Sequence, residues 1–323
     1  MMSRFLLVTA VLSLFGISAP RTSYAQEPDA KPPVEVGLVD WGRDFDAALA
    51  RSGKSRKPVL VLFQEVPGCS GCQKFGREVL SETLLVEAIE DLFEPVLVLN
   101  NREGKDAEIL KKYDEPAWNY QVIRFLDADG KDLIPRKDQI ASVSGVAERM
   151  IEALTKADRM VPKYLTSLAA PSDGNRRSTA AFSQYCFWTG EFRLGKIDGV
   201  IETEAGFLDG REVTLVHYDD SRISLQALAK EASKAKCADK VYTTSGKSLA
   251  GLPGGKLDQS YRTAPESDQK RQVQRWKALK TVPGLNNMQL TKINSLAPSN
   301  FSEALMWLSP RQLDLLRKSN GKK

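Results

Sequence analysis

The chain has 323 residues, more than the roughly 250 that one hydrophobic core usually supports, which predicts two domains. Hydrophobic residues make up 42% of it, which predicts a folded protein and excludes a disordered one. The formal net charge of +5 comes from basic residues spread along the chain rather than concentrated in one segment, which argues against nucleic-acid binding.

The N-terminus has the pattern of a secretory signal peptide. The apolar run from Phe5 to Ala19 follows a short cationic start and is too short to span a bilayer comfortably. Small residues Ser23 and Ala25 stand where signal peptidase reads, which predicts removal of residues 1–25. A permanent N-terminal anchor is the alternative. The mature protein is expected in the periplasm or the medium, without membrane attachment.

The next part of the chain predicts an α/β domain. Residues 26–37 are rich in Pro, Asp, Glu and Lys and are predicted to form a flexible leader, and the domain itself is expected over 38–168. Its expected elements are a helix starting at Phe45, a strand at 58–63, a helix at 73–92, and strands at 95–99 and 121–126. The order strand, helix, strand predicts a right-handed βαβ unit whose strands are buried on both faces.

A polar, turn-rich linker at 169–177 separates this domain from a predicted α+β domain at 178–323. The elements expected in the second domain are a strand at 213–218, a helix at 224–236 and a long irregular segment at 243–267. The last helix is predicted to begin at Ser309-Pro310, because serine can cap a helix and proline fits its first position.

Cys69 and Cys72 lie after the first predicted strand, at the start of the next helix. Unpaired backbone N–H groups and the helix dipole favour a thiolate there, and a second thiol one turn later can close a small, reversible disulfide. A structural role is less suitable, since a loop of two residues restricts the unfolded chain little. The lone His217 and the other cysteines do not supply further zinc ligands at familiar spacing. The pair is interpreted as redox-active, with a metal site or a structural disulfide as alternatives, and no metal or cofactor is predicted.

Residues from Trp41 to Arg136 resemble the thioredoxin-like superfamily. Within them, Val66-Pro67-Gly68-Cys69 resembles the motif of the bacterial thioredoxin-like (seleno)protein family named for VPGUxxT. The resemblance implies that Cys69, where selenocysteine can stand, is the attacking residue and Cys72 the resolving one. Thioredoxin-like proteins also carry a cis-proline just before the third strand. The stretch 118–122 has no proline there, and Gln121 is the candidate for that place.

Cys186 begins a compact cluster of aromatic residues and an acid that ends at Glu191. A cysteine beside Phe187 and Trp188 can be packed core, since free cysteine is often buried. It can equally be a nucleophile next to an apolar pocket that accepts a methyl thioether. These residues alone leave both interpretations open.

The stretch from about Phe182 to Lys230 is similar to peptide methionine sulfoxide reductase A, whose signature begins Gly-Cys-Phe-Trp-Gly. The matching residues are Cys186-Phe187-Trp188, Glu191, Gly199-Val200, Ala205-Gly206-Phe207, Gly210 and Tyr218-Asp219. The similarity implies that Cys186 attacks the sulfoxide sulfur of an oxidised protein or peptide, while Phe187 and Trp188 hold its methyl group. Glu191 and Glu212 match family acids that could protonate the sulfoxide oxygen, with a solvated glutamate as the alternative for each.

Cys237 is the only other cysteine of the second predicted domain. A sulfenic acid on Cys186 needs a second thiol to condense with, which makes Cys237 the candidate resolving residue. A permanent disulfide between the two is the alternative in an exported protein. His217 alternates with apolar residues on a predicted strand and is predicted to be structural.

The two predicted domains suggest one catalytic cycle. The thioredoxin-like pair would reduce the disulfide left by sulfoxide reduction at a high effective concentration, and an external thiol reductant would restore the pair. The predicted function is that of an exported, thiol-dependent methionine sulfoxide reductase. The alternatives are a general thiol–disulfide oxidoreductase with a degenerate, substrate-binding second domain, and a structural protein with two fixed disulfides.

Overall fold

The computed structural model describes residues 32–117, 121–172 and 176–320. Two sheets organise these residues, one of three strands and one of six, each with helices packed against it. The predicted signal peptide, residues 1–25, lies outside the described part of the chain. No helix within the described part combines the length and the apolarity that crossing a bilayer requires.

The first region holds the three-stranded sheet. Its elements are α1 (Phe45–Ser55), β1 (Val59–Gln64), α2 (Ser70–Glu78), α3 (Thr83–Leu92), β2 (Glu94–Leu99), α4 (Lys105–Lys112), β3 (Val122–Leu126), α5 (Val143–Lys156) and α6 (Lys163–Leu168). The central strand β1 pairs parallel with β2 and antiparallel with β3. The parallel pairing across the intervening helices confirms the predicted βαβ arrangement.

The strand β1 is buried along its whole length, as its continuous apolar sequence predicts. Successive side chains of a strand point to opposite faces. Leu60 and Leu62 therefore join one apolar cluster, while Val59, Val61 and Phe63 join another on the opposite face of the sheet. The strand thus connects two layers of core, and the turn that follows it is held at a fixed place.

The helix predicted over 73–92 is wrong as a single element, because the structure divides it into α2 and α3. The backbone N–H of Leu80 donates to the Phe75 carbonyl, which closes the end of α2. The Glu82 carboxylate then accepts from the Leu85 N–H over 2.6 Å and caps the start of α3. Burial of Leu80 between the two helices stabilises the break.

The sequence predicts a flexible leader up to Gly37, whereas the structure places Val34–Val36 in a short 3-10 helix against α2. The contact is closest at Gly76, where any side-chain carbon would overlap the Val34 carbonyl. The Gln64 side-chain amide donates to the Glu35 carbonyl over 2.7 Å and attaches the same segment to the end of β1.

The second region holds the six-stranded sheet, in the order β8-β7-β4-β6-β5-β9. Its elements are β4 (Arg177–Ser183), α7 (Phe187–Leu194), β5 (Val200–Leu208), β6 (Arg211–Asp219), α8 (Leu225–Lys234), β7 (Lys240–Thr243), β8 (Gly254–Lys256), β9 (Arg262–Thr263), α9 (Arg271–Arg275), α10 (Asn287–Leu296), α11 (Phe301–Leu305) and α12 (Pro310–Asn320). The predicted strand at 213–218 lies within β6. The predicted helix at 224–236 is α8, capped by the Ser224 side chain. The segment predicted to be irregular, 243–267, contains the short strands β8 and β9, and it overlaps the end of β7 and the start of a 3-10 helix at Glu266–Asp268. The α/β and α+β character predicted for the two regions is confirmed.

Two helices near the C-terminus, α10 and α12, lie against both regions. The Ser309 hydroxyl accepts from the Gln312 N–H over 3.2 Å, and Pro310 is the first residue of α12, as predicted. Asn286, which caps α10, donates from its side chain to the Ser167 hydroxyl of α6 over 2.8 Å. The two regions are therefore joined by side-chain contacts as well as by the chain.

Candidate functional site

Cys69 and Cys72 lie together at the start of α2, where the sequence places them. Cys69 is the N-cap residue, and its sulfur accepts a hydrogen bond from the Cys72 N–H over 3.4 Å. The two sulfur atoms are 3.1 Å apart, and both thiols are free. Cys69 is exposed whereas Cys72 is fully buried, so only Cys69 is open to attack a partner molecule.

The pKa values of the two thiols are shifted in opposite directions: that of the exposed Cys69 is lowered and that of the buried Cys72 is raised. Hydrogen bonds from the Cys72 thiol and then from the Cys72 N–H lower the pKa of Cys69. Burial, followed by the hydrogen bond to Cys69, raises the pKa of Cys72 to about 11. Because the thiolate is the nucleophile, this asymmetry favours Cys69 as the attacking group.

The turn that carries Cys69, residues 65–69, is held by side chains that the sequence did not indicate. The Gly68 N–H donates to the Glu35 carboxylate over 3.0 Å, and the Asn101 side-chain amide donates to the Val66 carbonyl over 3.2 Å. These partners are 33 and 35 positions away, so no local pattern indicates them. The Glu65 carboxylate also lies beside the two sulfurs, which the sequence did not predict.

The proline position of the thioredoxin-like resemblance falls partly outside the described residues, since 118–120 are not among them. Gln121 is buried and directly precedes β3, whose first residue, Val122, pairs with Phe63 of β1. Gln121 therefore lies at the end of the sheet where β1 stops and the turn that carries Cys69 (the thiol turn, residues 65–69) begins. Among the described residues, the cis peptide bond is Val66–Pro67, next to the thiol pair.

Cys186, Glu212 and Cys237 meet around the first turn of α7. Cys186 is half-buried and immediately precedes the helix. The Glu212 carboxylate accepts from the Phe187 N–H over 2.8 Å, so it lies at the N-terminus of the helix beside Cys186. The buried Cys237 thiol donates to the Thr189 carbonyl over 3.8 Å, and the Thr189 N–H donates to the Cys186 carbonyl. Burial is the main cause that raises the pKa of Cys237.

The aromatic residues after Cys186 form a cluster on the same turn. Phe187 is buried and makes an edge contact with Phe207, at a ring-centroid distance of 5.5 Å. The ring centroids of Trp188 and Phe187 are 5.8 Å apart, and the Trp188 indole N–H donates to the Asp268 carbonyl over 3.0 Å. The Arg271 guanidinium covers a face of the Trp188 ring at 4.3 Å. The predicted methyl-binding pair therefore exists as an aromatic cluster that is already packed on several sides.

Glu191 lies in a buried ion pair. Its side chain is fully buried, and its carboxylate pairs with the Lys270 ammonium over 2.8 Å. The Lys270 backbone N–H donates to the second carboxylate oxygen, also over 2.8 Å. Burial raises the pKa of Glu191, and the charge of Lys270 opposes that rise. The structure thus brings Glu212 to Cys186 and engages Glu191 in a buried ion pair, with a partner 79 positions away that no sequence signal indicated.

His217 lies in the six-stranded sheet, opposite Thr179 on the neighbouring strand. Its Nδ1 atom is 2.9 Å from the Thr179 hydroxyl, and burial lowers its pKa. A neutral imidazole satisfied by a cross-strand hydroxyl agrees with the structural role predicted for it.

One of the comparisons with known proteins locates a family within the first region. Residues 40–128 match the family model described as thioredoxin-like, so this part of the chain is a thioredoxin-like domain. A solved structure named DsbH oxidoreductase matches at 18% sequence identity with a TM-score of 0.31, over 40% of this chain and 94% of that one. The comparison with curated proteins finds no match.

Proposed function

We propose that the protein is an exported thiol–disulfide oxidoreductase that uses Cys69 and Cys72. The Cys69 thiolate attacks a substrate disulfide, forms a mixed disulfide and releases one substrate thiolate. Cys72 then attacks the Cys69 sulfur, releases the second substrate thiol and leaves a Cys69–Cys72 disulfide. An external thiol reductant restores the pair. The observation that carries this proposal is an exposed sulfur 3.1 Å from a fully buried one at a helix N-terminus.

Reduction of insulin disulfides in the presence of dithiothreitol tests this step. The full-length protein is expected to accelerate the reaction, and Cys69→Ser to abolish the acceleration. Cys72→Ser is expected to accumulate a mixed disulfide that mass spectrometry detects. Cys186→Ser serves as the control and is expected to retain the rate. Insulin reduction by the Cys69→Ser variant would show that another group performs the attack.

The second thiol pair supports a finer proposal, methionine sulfoxide reduction at Cys186. The Cys186 thiolate attacks the sulfoxide sulfur, Glu212 protonates the oxygen, and methionine leaves as Cys186 becomes a sulfenic acid. Cys237 condenses with this acid, which releases water and forms a disulfide. Cys69 and Cys72 reduce that disulfide by exchange. Support comes from the contact of Glu212 with the first residue of α7 and from the position of Cys237 beneath the same turn.

A peptide that contains methionine S-sulfoxide, incubated with the protein and dithiothreitol, tests this finer proposal. Product is expected from the full-length protein and not from Cys186→Ser. Glu212→Gln should keep the hydrogen bond from the Phe187 N–H. Its amide cannot protonate the sulfoxide oxygen as the carboxylic acid does, so turnover should fall. An unchanged peptide, together with Cys69-dependent insulin reduction, would favour a general oxidoreductase whose second region only binds substrate.

We also propose the domain limits and the location that the sequence predicts. A signal peptide at 1–25, a leader, a domain at 38–168, a linker and a domain at 178–323 are consistent with two sheets that follow one another in the chain. Expression with cell fractionation and N-terminal sequencing tests the export. A mature chain that begins at Gln26 in the periplasm or the medium is the expected result, and an uncleaved chain in the membrane fraction would contradict it.

A further inference from the structure

A third possible ligand accompanies the two thiols of the thioredoxin-like region. One carboxylate oxygen of Glu65 and the sulfur atoms of Cys69 and Cys72 all lie within 4.8 Å of one another. Glu65 follows the last residue of β1 in the turn that leads to α2, and it is half-buried. The group therefore combines a buried sulfur, an exposed sulfur and a carboxylate held near the end of a rigid strand.

We propose that this group binds a zinc ion when the two thiols are reduced. Tetrahedral zinc with Zn–S bonds of about 2.3 Å places two sulfurs about 3.8 Å apart and a carboxylate oxygen about 3.5 Å from each. The two sulfurs are 3.1 Å apart, so they must separate by about 0.7 Å to reach that geometry. Exposed Cys69 can make this movement by rotation of its side chain, while fully buried Cys72 and half-buried Glu65 stay in place.

Zinc binding at this site replaces thiol protons by the ion, and no atom changes its oxidation state. The ion displaces one proton from each thiol, forms two Zn–S bonds and one Zn–O bond, and keeps a fourth position open toward solvent beside Cys69. Soft thiolate ligands favour zinc over magnesium or calcium. A Cys69–Cys72 disulfide offers no thiolate, so oxidation excludes the ion. Bound zinc in turn blocks Cys69, which makes the ion a reversible inhibitor of thiol exchange.

The test uses full-length protein that carries Cys186→Ser and Cys237→Ser, so that of its four cysteines only Cys69 and Cys72 remain. Zinc is titrated against a chromophoric chelator under reducing and then oxidising conditions. The reduced protein is expected to bind one zinc ion, and the oxidised protein none. Glu65→Gln in this background is expected to weaken binding about tenfold or more, the loss that even an outer partner of a metal ligand causes.

Glu78→Gln provides the matched control, because Glu78 is an exposed carboxylate at the end of α2 that pairs with Lys74. This variant is expected to bind zinc as tightly as its parent. Equal affinities of the Glu65→Gln and Glu78→Gln proteins, or no binding by the reduced parent, would overturn the proposal. Because the chelator assay measures no turnover, its result is independent of insulin reduction by the zinc-free protein.

Discussion

The Ser309 hydroxyl donates a hydrogen bond to the Glu87 carboxylate over 2.7 Å, across 222 positions of the chain. The Arg311 N–H at the start of α12 donates to the other oxygen of that carboxylate over 2.7 Å. Glu87 lies on α3 and is only 2% exposed. A buried negative charge at a helix N-terminus is favourable, because the unpaired N–H groups and the helix dipole stabilise it. The α12 helix is thereby anchored on the thioredoxin-like region.

Substitution of Glu87 should loosen this anchor. Glu87→Gln removes the charge that both donors contact, and we expect the free energy of unfolding to fall by about 1.5–3 kcal/mol, the usual contribution of hydrogen bonds to a charged group. Urea denaturation followed by circular dichroism measures it. Glu90→Gln is the control, since Glu90 pairs with a largely exposed Arg311 side chain and should cost less than about 1 kcal/mol. Equal losses in the two variants would contradict the special role of Glu87.

The thiol turn tolerates no side chain at Gly68. A side-chain carbon there would lie 2.4 Å from the Glu65 carbonyl oxygen and 2.8 Å from the Cys72 side chain. Gly68→Ala is therefore expected to destabilise the protein by about 1–3 kcal/mol and to displace the thiols. Gly71→Ala is the matched control, because its added carbon meets the Cys69 sulfur at an ordinary 3.6 Å. Urea denaturation should show a change in the free energy of unfolding within about 0.5 kcal/mol for Gly71→Ala. A loss of stability in Gly71→Ala as large as that in Gly68→Ala, or larger, would contradict the clash at Gly68.

The two thiols should differ in their pH-dependent alkylation. Iodoacetamide reacts with the thiolate, so Cys69, whose pKa is lowered, should be modified at a pH below the value of about 8.5 for free cysteine. Cys72, with a pKa of about 11 and a buried sulfur, should stay unmodified through neutral pH. Peptide mass spectrometry of the reduced, native protein measures both rates. Similar rates at Cys69 and Cys72 would refute the proposed division of roles.

The buried Lys292 should make stability depend on pH. Its ammonium donates to the Gly195 and Ile197 carbonyls over 2.9 Å each, and burial lowers its pKa to about 8. Unfolding returns the pKa to about 10.4, so between these values the unfolded chain binds more protons and stability rises with pH. The expected gain is on the order of 3 kcal/mol. Lys292→Met should flatten this slope between pH 8 and pH 10 in urea denaturation, and an unchanged slope would exclude Lys292 as its source.

The sequence predicts best those features that depend on neighbouring residues. The continuous apolar run of β1, the thiol pair at a helix start and the serine–proline start of α12 all have local causes, and all three are found. The break between α2 and α3 was not predicted, because it depends on burial of Leu80 and on a glutamate cap.

The surroundings of the second thiol pair were predicted less well. Glu212 was placed near Cys186 only through a family resemblance, and it does lie beside the start of α7. Glu191 follows Cys186 closely in the sequence, yet its carboxylate pairs with Lys270 from a distant segment. Contacts between distant segments arise only when the sheet and helices assemble, and one sequence carries no local signal for them.

The contact between Glu87 and Ser309 also bears on the order in which the protein is made. Glu87 is synthesised with the first region, but its hydroxyl partner emerges from the ribosome 222 residues later. Until then, the carboxylate that will be buried lies on an α3 surface that α12 has not yet covered. The thioredoxin-like region therefore gains part of its native surface only after α12 has been translated.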